Sequence, residues 1–283
     1  MQNYNTSSVA ETKQKVAITD KDFFTYVPPA FITIILLVGQ INYGILDNYL
    51  NVVASISTSI ILEIILARTV LGTRKNLASA YVSGISVGIL IRSNMMWPYI
   101  ITAAISIISK YVLRYKGRHL WNPSNFGVSW MLFMMPLDVA GLSMQWGSNF
   151  AAMCVIWFLG LLIVARAKRL HVTLTYVISF TVLAFARSLI NNDTFLSEVS
   201  PITGPMYQLF IFFMITDPPT SVSTKKGRIL VVILVALLEF VFRLNHVIYA
   251  PFYALCLVGP PAKFIDLWRI SVKQKNSQVG VAT

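Results

Sequence analysis

The sequence predicts an all-α polytopic membrane protein of about ten transmembrane helices, arranged as a 5+5 inverted repeat with both termini cytoplasmic. Three observations carry this. The 283 residues are 56% hydrophobic and only 12% charged, with a mean hydropathy of +0.67, whereas a soluble domain carries about 25% charged residues. Apolar stretches approaching the length of a bilayer core recur along the chain. Lysine and arginine gather in every second connection, the pattern of loops retained on the cytoplasmic side.

The candidate spans run Tyr26–Leu46, Leu50–Leu71, Leu77–Ser93, Trp97–Leu113 and Asn125–Leu142, then Phe150–Ala165, Val172–Leu189, Met206–Thr216, Ile229–Arg243 and Val247–Phe264. The third, eighth and tenth are short or interrupted by Gly and Pro. Residues 1–22 read as a polar cytoplasmic tail and 267–283 as a second one. Residues 23–266 form a single transmembrane domain, with repeats at about 26–142 and 150–264. With the N-terminus inside, all of the 23 Lys and Arg residues except Arg92, Arg187 and Arg243 fall in cytoplasmic segments. The basic charge therefore faces the anionic leaflet of the cell's inner (cytoplasmic) membrane, which argues against nucleic acid as a partner despite the net charge of +12. The lipid bilayer is the expected partner. Cys154 and Cys256 lie far apart in apolar runs and read as small buried hydrophobes rather than a disulfide or metal pair.

Because five is odd, the two sets of five spans have opposite orientations. The short, broken segments fall third and fifth in each set. Inverted repeats place their sites at such discontinuous helices. The most informative of these is Thr203–Ser221, T-G-P-M-Y-Q-L-F-I-F-F-M-I-T-D-P-P-T-S. Its Asp-Pro-Pro end cannot continue a helix, since proline lacks the N–H and pushes the preceding residue out of the α region.

The candidate site residues follow from this frame. Asn122 begins N-P-S-N-F-G, a helix N-cap whose freed N–H groups point ahead. Asn122 and Asn125, with Gly127 and Trp130, offer polar edges and an aromatic face suited to a conjugated ring. Gly204, Tyr207 and Gln208 stand at the outer entrance of span eight, and Asp217 at its inner end, where it can cap a loop or pair with Lys225 or Lys226. Glu63 lies mid-span without an evident partner, so Glu63 and Asp217 are the candidates for an ion or proton path. Glu239 and Arg243, four residues apart, read as an ion pair on one helix face. Arg92 and Arg187, with Arg243, either snorkel or face an anionic group. No catalytic triad, phosphate loop or metal-ligand motif is present.

G-R-H-L-W-N-P-S-N-F-G (Gly117–Gly127), Trp146-Gly147 and F-F-M-I-T-D-P (Phe212–Pro218) resemble the NqrB/RnfD family, the integral subunits of the sodium-pumping quinone reductase and the Rnf electron-transport complex. The resemblance covers nearly the whole chain and is closest to stand-alone members, including those of enediyne biosynthesis. It implies ten helices in an inverted repeat, a flavin (FMN or riboflavin), electron transfer within the membrane, and redox partner subunits or a homo-oligomer. Flavin-carrying members hold FMN on the threonine of a Ser-Gly-Ala-Thr type sequence. Tyr207 stands at that position, and Thr203 lies four residues early, so any flavin is expected to be non-covalent. The rival expectation is a small-molecule or ion transporter or channel with its site at the centre of the inverted repeat.

Overall fold

A computed structural model describes residues 26–41, 44, 46, 48–72, 76–142 and 150–279. The N-terminal stretch 1–22, Arg74, Lys75 and Trp146-Gly147, all used above, lie outside the described residues. The chain order is α1 (Tyr26–Ile41), α2 (Tyr49–Leu71), α3 (Ala78–Leu90), β1 (Ile91–Arg92), α4 (Trp97–Val112), β2 (Arg114–Tyr115), β3 (Arg118–His119), α5 (Pro123–Met134) and β4 (Ala140–Gly141). It continues with α6 (Phe150–Arg166), α7 (Leu170–Asn191), α8 (Phe195–Val199), a 3-10 turn (Ser200–Thr203), α9 (Pro205–Leu209), a π-helical turn (Phe210–Met214), α10 (Lys225–Leu244) and α11 (Ala250–Val279). The protein is mostly helical. At 23 and 22 residues, α2 and α7 are long and apolar enough to cross a bilayer, and only about a third of each spanning window is buried.

The polarity of these helices is inside out. Along α2 the inward positions Asn51, Ser55, Ser59, Glu63 and Ala67 recur every four residues, while Leu50, Val53, Ile61, Ile65 and Val70 are exposed. In α7, Thr173, Tyr176, Phe180, Ala184 and Arg187 face inward, and Leu174, Ile178, Val182, Phe185 and Leu189 face out. A helix in water buries its apolar stripe. One in hydrocarbon does the reverse and turns its polar groups toward the bundle. Cys154 follows the outward pattern: it is exposed, not buried as its apolar surroundings suggested.

Small residues set the close contacts. Gly84 and Gly88, a G-x-x-x-G pair on α3, press against Ser55, Ile56 and Val52 of α2, and the Ser55 hydroxyl donates to the Gly84 carbonyl at 2.9 Å. On α5, Gly127 meets Thr102 and Ser106 of α4. The hairpin β2–β3 closes through Lys116 and Gly117, both at positive φ (48° and 76°), the two-residue turn whose twist matches paired strands. Beyond α3 the chain becomes extended, and β1 pairs antiparallel with β4. Tyr249 then accepts the Gly141 N–H at 2.8 Å.

The eighth expected span is divided. Gly204 and Pro205 start α9, and the chain widens into a π turn in which the Ile215 N–H reaches back five residues to the Phe210 carbonyl at 3.0 Å. The helix stops before Asp217. The tenth expected span differs from its reading as a segment interrupted by Gly and Pro. Helix α11 runs unbroken through Pro260 and Pro261 and continues to Val279. Pro260 has no N–H for the carbonyl four residues back, that of Cys256. Trp121 Nε1 donates to that carbonyl at 3.0 Å instead, so the helix survives its proline.

A methyl group at Gly127 would lie 2.1 Å from Ser106 Oγ and 2.7 Å from the backbone oxygen of Thr102. Gly127→Ala is therefore expected to destabilise the purified protein by about 1–3 kcal/mol. Gly259→Ala, whose nearest neighbour would be Leu255 Cδ1 at 3.5 Å, serves as the neutral control in the same thermal-unfolding series.

Candidate functional site at two cavities

The segment Thr203–Ser221 has a cavity at each end. One face of the molecule gathers Lys110, Arg118, Arg169, Arg228 and Lys263 around the loop that follows the π turn. At this basic face a cavity of about 280 Å³ is lined by Ser79, Ser83 and Ser86 of α3, Asn122, Pro123 and Ser124 at the start of α5, and Phe213, Asp217 and Pro219. At the opposite end a cavity of about 400 Å³ is lined by Asn191, Asp193, Glu198, Gly204, Met206, Tyr207, Arg243 and His246. Between them stand α9 and the π turn, ten residues from Pro205 to Met214. Ten helical residues rise about 15 Å, against about 30 Å for a bilayer core.

The basic-face loop is tied at each turn. Thr220 donates to the Asp217 carboxylate at 2.8 Å, and Asn122 donates to it as well. Asn122 also caps α5, its Oδ1 accepting from the Asn125 N–H at 3.0 Å. The N-P-S-N and T-D-P stretches, far apart in sequence, therefore meet at one side chain. Lys263 Nζ donates to the Ser221 carbonyl at 2.6 Å, and Arg228 donates to the carbonyls of Val222 and Ser223. The Ser223 N–H and hydroxyl donate to Asp266. Asp217 thus bonds to Thr220 and Asn122, not to Lys225 or Lys226. Burial pushes its carboxyl up to about 6, against the opposing pull of those two hydrogen bonds and of the Arg169 and Lys110 charges.

Behind the opposite cavity lies a network on one carboxylate. Glu239, 1% exposed, accepts from the hydroxyls of Tyr176 (2.6 Å) and Tyr207 and from Arg243 Nε (3.1 Å), the last being the i,i+4 ion pair read from the sequence. Arg243 also bonds the Tyr207 hydroxyl. Arg187 pairs with Glu198 at 2.7 Å, and Arg187 and Arg243 both stack on the Phe180 ring. Every one of these partners of Glu239 is a donor, which suits a carboxylate that can only accept.

Glu63 is not alone. Both its oxygens accept from Lys110 Nζ at 2.9 Å, the two side chains being 0% and 6% exposed. Tyr111 lies beside it, and Lys110 reaches Ser79 on the cavity wall at 3.2 Å. The partner was missed because Lys110 reads as a cytoplasmic flank of span four, while its side chain turns back into the bundle.

The other candidates separate. Asn125 donates to the Phe252 carbonyl at 3.2 Å, and its buried Oδ1 has no partner among the described residues. Gly127 is taken up in packing against α4, and Trp130 is outward-facing, 36% exposed. Gln208 bonds the Thr203 carbonyl at 2.9 Å. Arg92 donates to the carbonyls of Ile89 and Ile91 and bends back on its own strand. The structure brings Asn122 to Asp217 at one end, and Gly204 to Tyr207 at the other. Sequence reasoning passed over Tyr176 and Glu198; a tyrosine on the inward face of an amphipathic helix carried the only signal for the first.

Residues 140–270 match the NQR2, RnfD, RnfE family. A stretch of 106 residues is 33% identical to a subunit of the ion-translocating oxidoreductase complex of Cronobacter sakazakii, covering 37% of this chain and 29% of that protein.

Two measurements test this geometry. Lys110→Met strands a buried carboxylate and is expected to cost about 3–5 kcal/mol, most of which the Glu63→Leu/Lys110→Met pair restores. For Asp217 the folded pKa of about 6 lies above the unfolded value of 3.8. Between these two pH values the folded state holds more protons, so its share of stability is present at low pH and is lost as pH rises toward 6. The loss is about 2–3 kcal/mol. In pH-dependent unfolding, wild type minus Asp217→Asn isolates it, and a flat difference between pH 4 and 6 contradicts the assignment.

Proposed function

We propose, from the match of residues 140–270 to the NQR2, RnfD, RnfE family, that this chain is a membrane subunit of an ion-translocating oxidoreductase-type complex and that it serves electron transfer across the inner membrane. The observation that carries the reading is the pair of cavities facing each other across the ten residues Pro205–Met214. A redox group at either end would be separated by about half a bilayer.

The topology proposed is ten spans in an inverted 5+5 repeat with both termini cytoplasmic. Its support is the parallel between the two halves of the chain. In the first half α2 packs on α4 and α4 on α5; in the second α7 packs on α10 and α10 on α11. Each half also buries charge toward the C-terminal ends of its second and fourth helices, Glu63 with Lys110 and then Arg187 with the Glu239 network. In halves of opposite orientation these clusters fall near opposite faces. The basic face is then cytoplasmic.

A covalent FMN does not fit. The residue at the threonine position, Tyr207, is 1% exposed and its hydroxyl is committed to Glu239 and Arg243. A non-covalent flavin fits better at the basic face, where Asn122 lines the cavity and, at a smaller cavity that Asn122 also lines, Asn125 keeps a buried amide oxygen with no partner among the described residues. There Asn122 would supply a hydrogen bond to the polar edge of the ring, and Asp217 would hold or release a proton at the cavity wall. When bound, a flavin supplies the electron-carrying chemistry that no side chain here provides. The same two cavities favour a second reading, a transporter or channel for a small solute, since a thin septum between opposed cavities is what solute passage needs.

One preparation separates the readings. The purified protein is expected to show a flavin spectrum that denaturation releases, with an intact mass equal to the 31.7 kDa chain, and Asn122→Ala should lower flavin retention about tenfold, worth about 1.4 kcal/mol. A colourless protein that takes up neither FMN nor riboflavin, yet gives Asn122-dependent solute flux in proteoliposomes, establishes the second reading over the first.

A further inference from the structure

The start of α7 holds hydrogen-bond donors for which the surrounding protein supplies no acceptor. Its N-cap is Arg169, which makes no capping bond because a guanidinium cannot accept one. The N–H groups of Val172 and Thr173 close on the Arg169 carbonyl at 2.8 and 3.4 Å, while the first N–H groups of a helix have no partner within it. Arg169 is 9% exposed, and its buried Nη1 has no partner among the described residues. The same holds for the buried His171 Nε2 and for the hydroxyl of Thr173, which sits one turn beyond Arg169 on the inward face of α7. Three side chains at the start of α7 therefore present polar atoms that the described residues leave unmet.

The charges around this corner share one sign. Arg169 lies within electrostatic reach of Arg228, and His171 within reach of Arg228, Lys225 and Arg169. Lys263 is near Arg169 and Arg118. Helix α10 begins beside it: Val172 of α7 lines a small cavity of about 40 Å³ together with Arg228, Val231, Thr220 and Ser221. The first turn of α10 holds Lys225, Lys226 and Arg228 and no acid, the unfavourable sign for the positive end of a helix dipole. Two carboxylates are in range of these cations. Asp266 is spent on the N–H and hydroxyl of Ser223, and Asp217 on Thr220 and Asn122. Lys263 and Arg228 are themselves spent on loop carbonyls. Arg169 is left with no ion pair among the described residues, and burial with the neighbouring cations holds the His171 imidazole toward its neutral form.

We infer that the start of α7 is a binding site for a phosphate-type oxyanion, held by Arg169 and His171 against the helix N-terminus. A phosphate group has the several acceptor oxygens that this donor set lacks, and the negative charge that offsets the cations around the start of α7. The group is either the headgroup of an anionic lipid in the adjoining leaflet or a free phosphate. The inference stands apart from the electron-transfer reading, since it uses none of the residues that line the two large cavities.

The test uses the full chain purified in a neutral detergent, probed with phosphatidylglycerol micelles, phosphatidylcholine micelles and inorganic phosphate. Thermal midpoints and lipid retained in native mass spectra are read together. Wild type is expected to bind phosphatidylglycerol at least tenfold more tightly than phosphatidylcholine, and Arg169→Gln to lose that preference. Stabilisation by phosphatidylglycerol but not by inorganic phosphate identifies the lipid headgroup; Arg169-dependent stabilisation by inorganic phosphate identifies the free anion. Arg169→Lys, which keeps the charge but not the planar fork, is expected to fall between the two and covers the case in which the glutamine variant does not fold. His171→Gln should weaken the same probe several-fold. Binding of both anionic probes that is unchanged in Arg169→Lys and His171→Gln, or wild type that binds neither probe, overturns the site.

Discussion

The structure turns on a helix that stops too early. Pro218 and Pro219 end the segment that began at Pro205, so a loop sits where a spanning helix would have kept its own backbone bonded. Away from water, each unmet backbone group costs several kcal/mol. The loop is accordingly bonded from three other elements: Asn122 at the start of α5, Arg228 in the first turn of α10, and Lys263 and Asp266 on α11. Those ties fix how the start of α5 and the helices α10 and α11 meet, beside the cavity at Asp217.

The same requirement governs the rest of the interior. A bundle in hydrocarbon gains little from burying apolar side chains, so its specificity comes from close backbone approach and from polar groups that find partners. Gly84 and Gly88 provide the first between α2 and α3. Glu63 with Lys110, and Glu239 with Tyr176, Tyr207 and Arg243, provide the second. Both carboxylates are inaccessible, and each is a poor place for a charge unless every lone pair is met. Tyr207 couples this network to the broken segment. Its phenol reaches a carboxylate on α10 and an arginine one turn further on, and so anchors the start of the short helix to its neighbour.

Much of the architecture was legible in the sequence because hydropathy and charge act over many residues. The helical fold, the break at Asp-Pro-Pro, the Asn122 cap and the Glu239–Arg243 pair are each local, and each is read from a few neighbouring letters. What could not be read depends on encounters across the chain. The partner of Glu63 lies 47 residues away, and the acceptor that Pro260 frees is met by Trp121, 135 residues away. Spacing within α11 therefore pointed to a break that a distant indole prevents. Gly127 was drawn toward a ring-binding role by its neighbours Asn122 and Asn125, but its hydrogen atom is needed against Thr102. Trp130 is on the wrong face of the same helix, since five residues of α-helix rotate a side chain away from Asn125 by about 500°.

The placement of strong and weak bonds bears on which function the two cavities serve. The charged clusters lie within one half of the chain: Glu63 and Lys110 in the first, Arg187, Glu198, Glu239 and Arg243 in the second. Among the described residues, the hydrogen bonds that join the halves are single bonds from neutral donors, Trp121 to Cys256, Asn125 to Phe252, Gly141 to Tyr249 and Asn122 to Asp217, beside the ring contacts of Tyr115 with Phe264 and Phe133 with Tyr253. Rocking one half against the other would spare the clusters but open the joins. Each opened join strands a buried or half-buried group, at no more than about 1–3 kcal/mol, and the Cys256 carbonyl has no N–H of its own helix to fall back on. Four such joins amount to no more than about 4–12 kcal/mol, a large barrier for a cycle that must pass through the open state on every turnover. Transfer of an electron along a fixed ten-residue helix asks for no such opening, and it is the reading under which these joins are an asset rather than an obstacle.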